Sequence, residues 1–336
     1  GLRSVIYSHR KSLRAQTSGV LEAFNVYHGV RASGTKPLLH ESVQVSSLDT
    51  ERARVYAVDA QWDLHDADVV IVDEAHACMS PTAQTILFDH VASGARLLCG
   101  FTATPVAVDR IYNRLIQPVR KADLRACGAL VPCETFAPNE PDLKNVRRGS
   151  AGEFTENTVR ERMKVHSIFG NVIENYRRLN PDHAPTILFA PGVPEAHFFT
   201  DEFNKAGITA ATITSETTMG ERERILKASE SGELKVITNR FVLREGIDAP
   251  WLQHGIMATA FGAISNYHQA GGRLLRAGDG FDRVTLQDHG GNWHRFGSLN
   301  DDRAWRLGDT NKSIVKEIIA LRETQKGDDC DEPIAC

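Results

Sequence analysis

The sequence predicts an α/β protein of two lobes, each a mostly parallel sheet with helices on both faces. Three observations lead there. Nine short β-branched or aliphatic runs recur along the chain, most of them followed by helix-length sequence. Continuous apolar runs of this kind are buried on both faces, as parallel strands are. A Pro-bearing stretch with little helical period interrupts the pattern near the middle. Finally, a length of 336 residues corresponds to about two domains of roughly 150 residues each.

In order, the expected strands are Ser4–Ser8, Val43–Ser47, Val69–Val72 and Arg96–Phe101, then Thr186–Ala190, Thr209–Thr214, Lys235–Thr238, His254–Thr259 and Arg283–His289. Helical sequence lies at Lys11–Phe24, Ala83–Ser93, Pro194–Ala206 and Gly220–Ser231, with an amphipathic stretch from about Glu156 to Arg178. The expected divisions are a first lobe at 1–130, a linker at 131–160, a second lobe at 161–290 and a closing segment at 291–336. Pro132, Pro138 and Pro141 mark the seam.

Composition narrows the class. Hydrophobic residues at 41% and charged residues at 24% are ordinary globular values, which excludes a disordered or fibrous chain. No apolar run approaches the ~18–20 residues that span a bilayer, and the first residues lack the apolar core of a secretory signal. Six Cys without a framework fit a reducing compartment, so a cytoplasmic protein with no membrane partner is expected. A net charge of −4 provides no bulk basic field for gripping nucleic acid, although local phosphate sites remain open. The chain has no initiator Met and stops at CDEPIAC inside what reads as a turn. It is expected to be a piece of a longer reading frame.

The sharpest motif is VVIVDEAHA at Val69–Ala77. A buried strand ends in two carboxylates at the edge where open α/β sheets place ligands. Asp73 at the strand tip suits Mg²⁺ held through water and a phosphate oxygen. Glu74 is placed to orient and deprotonate an attacking water. GFTATP at Gly100–Pro105 follows the next strand with Thr102 and Thr104, whose hydroxyls suit a bond to the neighbouring strand end. NRFVLREGIDAP at Asn239–Pro250 places Gly246 and Asp248 in a sharp loop, Gly permitting close backbone approach and Asp a ribose hydroxyl or an Arg. In YHQAGGRLLRA, Gln269, Arg273 and Arg276 share one face if the segment is helical. Two guanidiniums there suit charge developing on a transferring phosphoryl group.

Together these resemble motifs II, III, V and VI of the superfamily-two DEAD/DEAH-box helicases, in the right order. VIYSHRKSLRAQT resembles motif Ia, VQVSSLDT motif Ib and TILFAPGVPEAHFF motif IV. DHGGNWHRFGSLNDDRAWRL is similar to the stretch that closes the core in a bacterial and phage-associated DEAH-type branch. The resemblance implies two RecA-like lobes of the P-loop NTPase superfamily, with ATP in the cleft and nucleic acid lying across both. It implies Asp73 on the Mg²⁺ side, Glu74 as base, and His76 coupling the ATP site to Gln269 and the Thr102–Thr104 loop. Gly246, Asp248, Arg273 and Arg276 would serve the nucleotide; Ser8, His9, Arg10, Ser46, Ser47 and Asn239 would serve the nucleic acid.

The implied activity is an ATP-dependent DNA helicase or translocase, acting on single-stranded or duplex DNA, with RNA as an alternative. The motor of a restriction system and a non-hydrolysing nucleic-acid-binding module are the other readings. No Gly-Lys pair occurs, so the phosphate-binding loop is expected upstream of Gly1 and the chain by itself is expected to be inactive. Cys78 and Cys99 read as buried thiols, and nothing completes a metal quartet with Cys127 and Cys133. Cys330 and Cys336 have the spacing to open a zinc ribbon. Trp293, His294 and Trp305 read as packing residues rather than base platforms.

Overall fold

Apolar runs with no polar face must be covered on both sides, and the chain does this twice. The computed structural model describes residues 1–138, 140–149, 152–163, 166–244 and 249–325. They fall into two units, one of residues 1–117 with 305–310, the other of 118–304 with the chain from Asn311 onward.

The first unit contains β1 (Ser4–Tyr7), α1 (Lys11–Ala23), β2 (Gly29–Arg31), β3 (Val43–Ser46), α2 (Leu48–Arg54), β4 (Val69–Asp73), α3 (Pro81–Ala92) and β5 (Leu97–Phe101). Its sheet has the order β2-β3-β1-β4-β5, and all pairings are parallel. Val5, Tyr7, Val70, Val72, Ile86 and Leu87 form its core. Ser80 starts α3 by accepting the Ala83 N–H, with Pro81 in the first turn, where a missing N–H costs nothing. β5 is an edge strand, and its Leu97 and Phe101 are more than half exposed.

The second unit contains α4 (Lys121–Ala126), β6 (Cys133–Phe136), α5 (Glu156–Met163), α6 (His166–Leu179), β7 (Thr186–Phe189), α7 (Val193–Lys205), β8 (Ala210–Ile213) and α8 (Met219–Glu230). It continues with β9 (Val236–Asn239), β10 (His254–Met257), α9 (Ile264–Gly271), β11 (Val284–Asp288), α10 (Asn292–Phe296) and α11 (Asn311–Gln325). Its sheet, β6-β11-β10-β7-β9-β8, is again wholly parallel. Val172, Tyr176, Leu188, Phe199, Phe203 and Ile256 pack its interior. Among the described residues, no helix is long and apolar enough to cross a membrane.

All nine expected strands form, and two more appear. β2 is a three-residue strand containing Gly and Arg, and β6 lies between Pro132 and Pro138. β6 is the edge strand of the second sheet, so the stretch read as irregular linker supplies a strand. An edge strand needs only one ladder, which makes flanking prolines tolerable. The expected helical face of Gln269, Arg273 and Arg276 is corrected. The helix stops at Gly271, with Gly272 as its cap. Beyond it Leu274 and Leu275 turn inside, while Arg276 forms an isolated antiparallel bridge with Leu130. Two consecutive glycines weaken a helix, and burial of the leucine pair decides where the chain turns.

One buried charge pair secures the first unit. Arg31 and Glu51 are almost fully buried, with Arg31 Nε and Nη2 each donating over 2.9 Å to a different carboxylate oxygen. Nη2 also donates to the Asp63 carbonyl, the Ser46 hydroxyl donates to Glu51, and the guanidinium lies over Trp62. Removing one partner of such a pair strands a buried charge. Glu51→Ala is therefore expected to cost about 3–5 kcal/mol in chemical denaturation. A loss below about 1 kcal/mol, as for an exposed pair, would show that the pair is not buried in solution.

Candidate functional site

The carboxyl end of β4 places the acidic motif. Asp73 is its last residue, opposite Phe101 of β5. The chain then reverses through Glu74, which adopts a left-handed conformation (φ 49°, ψ 51°), uncommon for a side chain with a Cβ. Asp73 Oδ1 accepts the Glu74 N–H at 2.9 Å, holding the reversal. A single 3₁₀ turn, Ala75–Ala77, follows and carries His76. His76 Nδ1 lies 2.8 Å from Thr102 Oγ1 and 3.3 Å from Glu74 Oε2. Thr102 Oγ1 also accepts the Thr104 N–H at 3.1 Å. Asp73, Glu74, His76 and Thr102 thus form one cluster at the ends of β4 and β5. Thr104 is buried beneath it.

Local packing explains the precision. A Cβ on Gly100 would lie 2.5 Å from the Tyr112 ring and 2.7 Å from Ala75 Cβ. Glycine therefore lets β5 approach the turn that carries His76. Burial pushes the Cys78 thiol up to about 12, so it is a packing thiol as expected.

Among the described residues no group of three His, Cys, Asp or Glu stands ready as a metal cage. A lone strand-end carboxylate nevertheless fits Mg²⁺, which keeps its waters and is held by one or two carboxylates together with substrate phosphates.

The residues assigned to nucleic acid divide. Ser8 and Ser46 do meet, the Ser8 N–H donating to the Ser46 carbonyl at 3.0 Å. Their side chains, however, are fully buried. The Ser46 hydroxyl is engaged by Glu51, and Ser47 caps α2 by accepting the Thr50 N–H. These three serines organise the edge from within. His9 and Arg10, partly exposed beside them, have their side chains within 3.3 Å of each other.

Asn239 is likewise enclosed. Its Nδ2 donates to the Leu188 carbonyl and its Oδ1 accepts the Leu243 N–H, so it ties β9 to β7. The neighbouring Arg240, not singled out from the sequence, lies against the Phe241 ring, and Phe241 has φ 60°. Burial lowers the Arg240 guanidinium to about 10, opposed by the Glu156 carboxylate. Gly246 and Asp248, like Cys330 and Cys336, lie outside the described residues.

Gln269 sits in the last turn of α9, and Arg273 Nε donates to the Arg244 carbonyl at 2.9 Å. The turn that precedes α9 is held by residues the sequence did not disclose. Phe261 N–H donates to Asn292 Oδ1, Gly262 N–H to Glu153 Oε1, and Ile264 N–H to Asn311 Oδ1. Asn292 in turn is fixed by Asp288, whose other oxygen accepts the Trp293 N–H. Burial raises the Asp288 carboxyl, while that N–H and the charge of Arg295 oppose the rise. Arg322 stacks on Trp293 at 4.0 Å, so this aromatic packs as expected.

Residues 169–278 match the family described as Helicase conserved C-terminal domain. A 51.5 kDa protein of a Lactococcus phage (isolate 7-9) is 25% identical over 331 residues, covering 96% of this chain and 68% of that protein. The DNA 3'-5' helicase XPB of Kineococcus radiotolerans is 27% identical over 282 residues, 80% of this chain and 47% of that protein. Among solved structures, the Mycobacterium smegmatis helicase Lhr bound to ssDNA and AMP-PNP has a TM-score of 0.55 at 16% identity, over 91% of this chain and 43% of that one. Two wholly parallel sheets flanked by helices thus have the fold of two RecA-like lobes. Residues 169–278 thus match a helicase C-terminal domain, and most of the chain is similar to helicases. The chain spans less than half the length of XPB.

Proposed function

We propose that the protein carrying this chain is an ATP-dependent DNA helicase or translocase. The cluster of Asp73, Glu74, His76 and Thr102 supports this most directly. It offers a carboxylate for Mg²⁺, a second carboxylate for water, and an imidazole between that second carboxylate and Thr102 after the neighbouring strand. When bound, Mg²⁺ would offset negative charge on the phosphates. Asp73 would hold it, and Glu74 orients the attacking water and takes its proton. His76 transmits the state of Glu74 to the loop at Thr102. Arg273 and Arg276 supply positive charge to the transferring phosphoryl group. Arg10, His9 and the newly identified Arg240 are the candidates for phosphates of the nucleic-acid backbone.

The full-length protein is expected to hydrolyse ATP faster with single-stranded DNA than without it, in an assay run alongside equal RNA. Hydrolysis unaffected by either polymer would overturn the motor reading. Stimulation by RNA alone would move the substrate to RNA.

A further inference from the structure

We propose that Glu153 is a positioning residue for α9, setting the placement of Gln269 and of the turn to Arg273. The proposal rests on the ATP-hydrolysis reading and adds a residue to it. The connection between β10 and α9, residues 258–263, is buried throughout. Buried backbone groups must find partners, and a connection without ladder or helix bonds has to take them from side chains. Asn292 Nδ2 donates to the Thr259 carbonyl at 2.9 Å, and Asn292 Oδ1 accepts the Phe261 N–H at 2.7 Å. Arg295 donates to the Phe261 carbonyl and Arg148 to the Gly262 carbonyl.

Glu153 differs from these because it reaches both the turn and the helix. Its Oε1 accepts the N–H groups of Phe154 and Gly262, at 2.9 and 2.5 Å, while Oε2 accepts Asn266 Nδ2 from within α9. Its negative charge also lies at the amino end of that helix, where the peptide dipoles favour it. There is little slack: a Cβ on Gly262 would stand 2.4 Å from the Phe154 nitrogen. Phe154 is anchored in turn among Val159, Met163 and Ala260. α9 has only eight residues, too few to be stable alone, so its direction is set by what holds its ends. Glu153 holds the first end; Arg273, bonded to the Arg244 carbonyl, follows the second.

The test compares Glu153→Ala with Glu153→Gln in the full-length protein. The amide of Gln keeps an acceptor for both N–H groups and can donate to Asn266 once that amide turns over, so it should restore what Ala loses. Glu153→Ala is expected to lower kcat for ATP by about 10- to 100-fold, the scale of misplaced reacting groups, with KM nearly unchanged. Amide exchange over residues 262–271 should quicken in the Ala variant and return to wild type in the Gln variant. A Glu153→Ala protein with wild-type kcat, or one whose kcat falls only with its folded fraction, overturns the proposal. If the wild-type protein shows no ATP turnover, the hydrolysis reading fails separately. Exchange then decides: unchanged protection over 262–271 in Glu153→Ala removes the clamp.

Discussion

Glu74→Gln in the full-length protein is expected to lower ATP turnover by about 10²–10⁴-fold, the usual loss when a general base is removed, while nucleotide still binds. The substitution is informative because it changes almost nothing else. Glu74 sits in a left-handed reversal fixed by its own N–H bonding to Asp73 Oδ1, and that backbone bond survives the change. The amide can also remain near His76 Nδ1, which lies 3.3 Å from Glu74 Oε2. Fluorescent-nucleotide titration and steady-state turnover on the same preparation separate the two effects. Lost binding with undiminished turnover of whatever bound would remove Glu74 from the role of base.

Arg276→Ala is expected to lower turnover by about 10³-fold, the lower end of the range for an arginine that stabilises charge on a transferring phosphoryl group. Folding should be little affected. Arg276 contributes its backbone to the bridge with Leu130, and alanine preserves a backbone bridge. Arg273→Lys is a sharper companion. Arg273 Nε is bonded to the Arg244 carbonyl, which constrains the plane of the guanidinium, and an ammonium reproduces neither that plane nor its fork. Thermal unfolding and single-turnover hydrolysis distinguish a catalytic loss from a folding loss. Arg276→Ala hydrolysing at the wild-type rate would refute the assignment, whatever its stability.

Much of the scaffold was legible because parallel strands leave a strong trace. Val69–Val72, Thr186–Phe189 and His254–Met257 are apolar through most of their length and lie in sheet interiors. β2 and β6 left no such trace. Each is an edge strand with one neighbour, and its sequence is free to contain Arg, Gly or Glu. The limit of α9 was legible only in part. The glycines were visible, but the burial of Leu274 and Leu275 that turns the chain away was not.

The sequence by itself determined the two-lobed parallel architecture and the acidic strand end. Both depend on local order: apolar runs of fixed length, and carboxylates immediately after one of them. Tertiary structure alone decided which polar residues of those motifs face inward. Ser46 and Asn239 are the last residues of β3 and β9, yet bonds to Glu51 and the Leu188 carbonyl hold them in the interior. It also decided that Glu153 meets α9. The carboxylate and the Gly262 N–H are 109 residues apart, and no spacing rule links them. They meet because a buried turn has to satisfy its backbone with whatever side chains the fold brings to it.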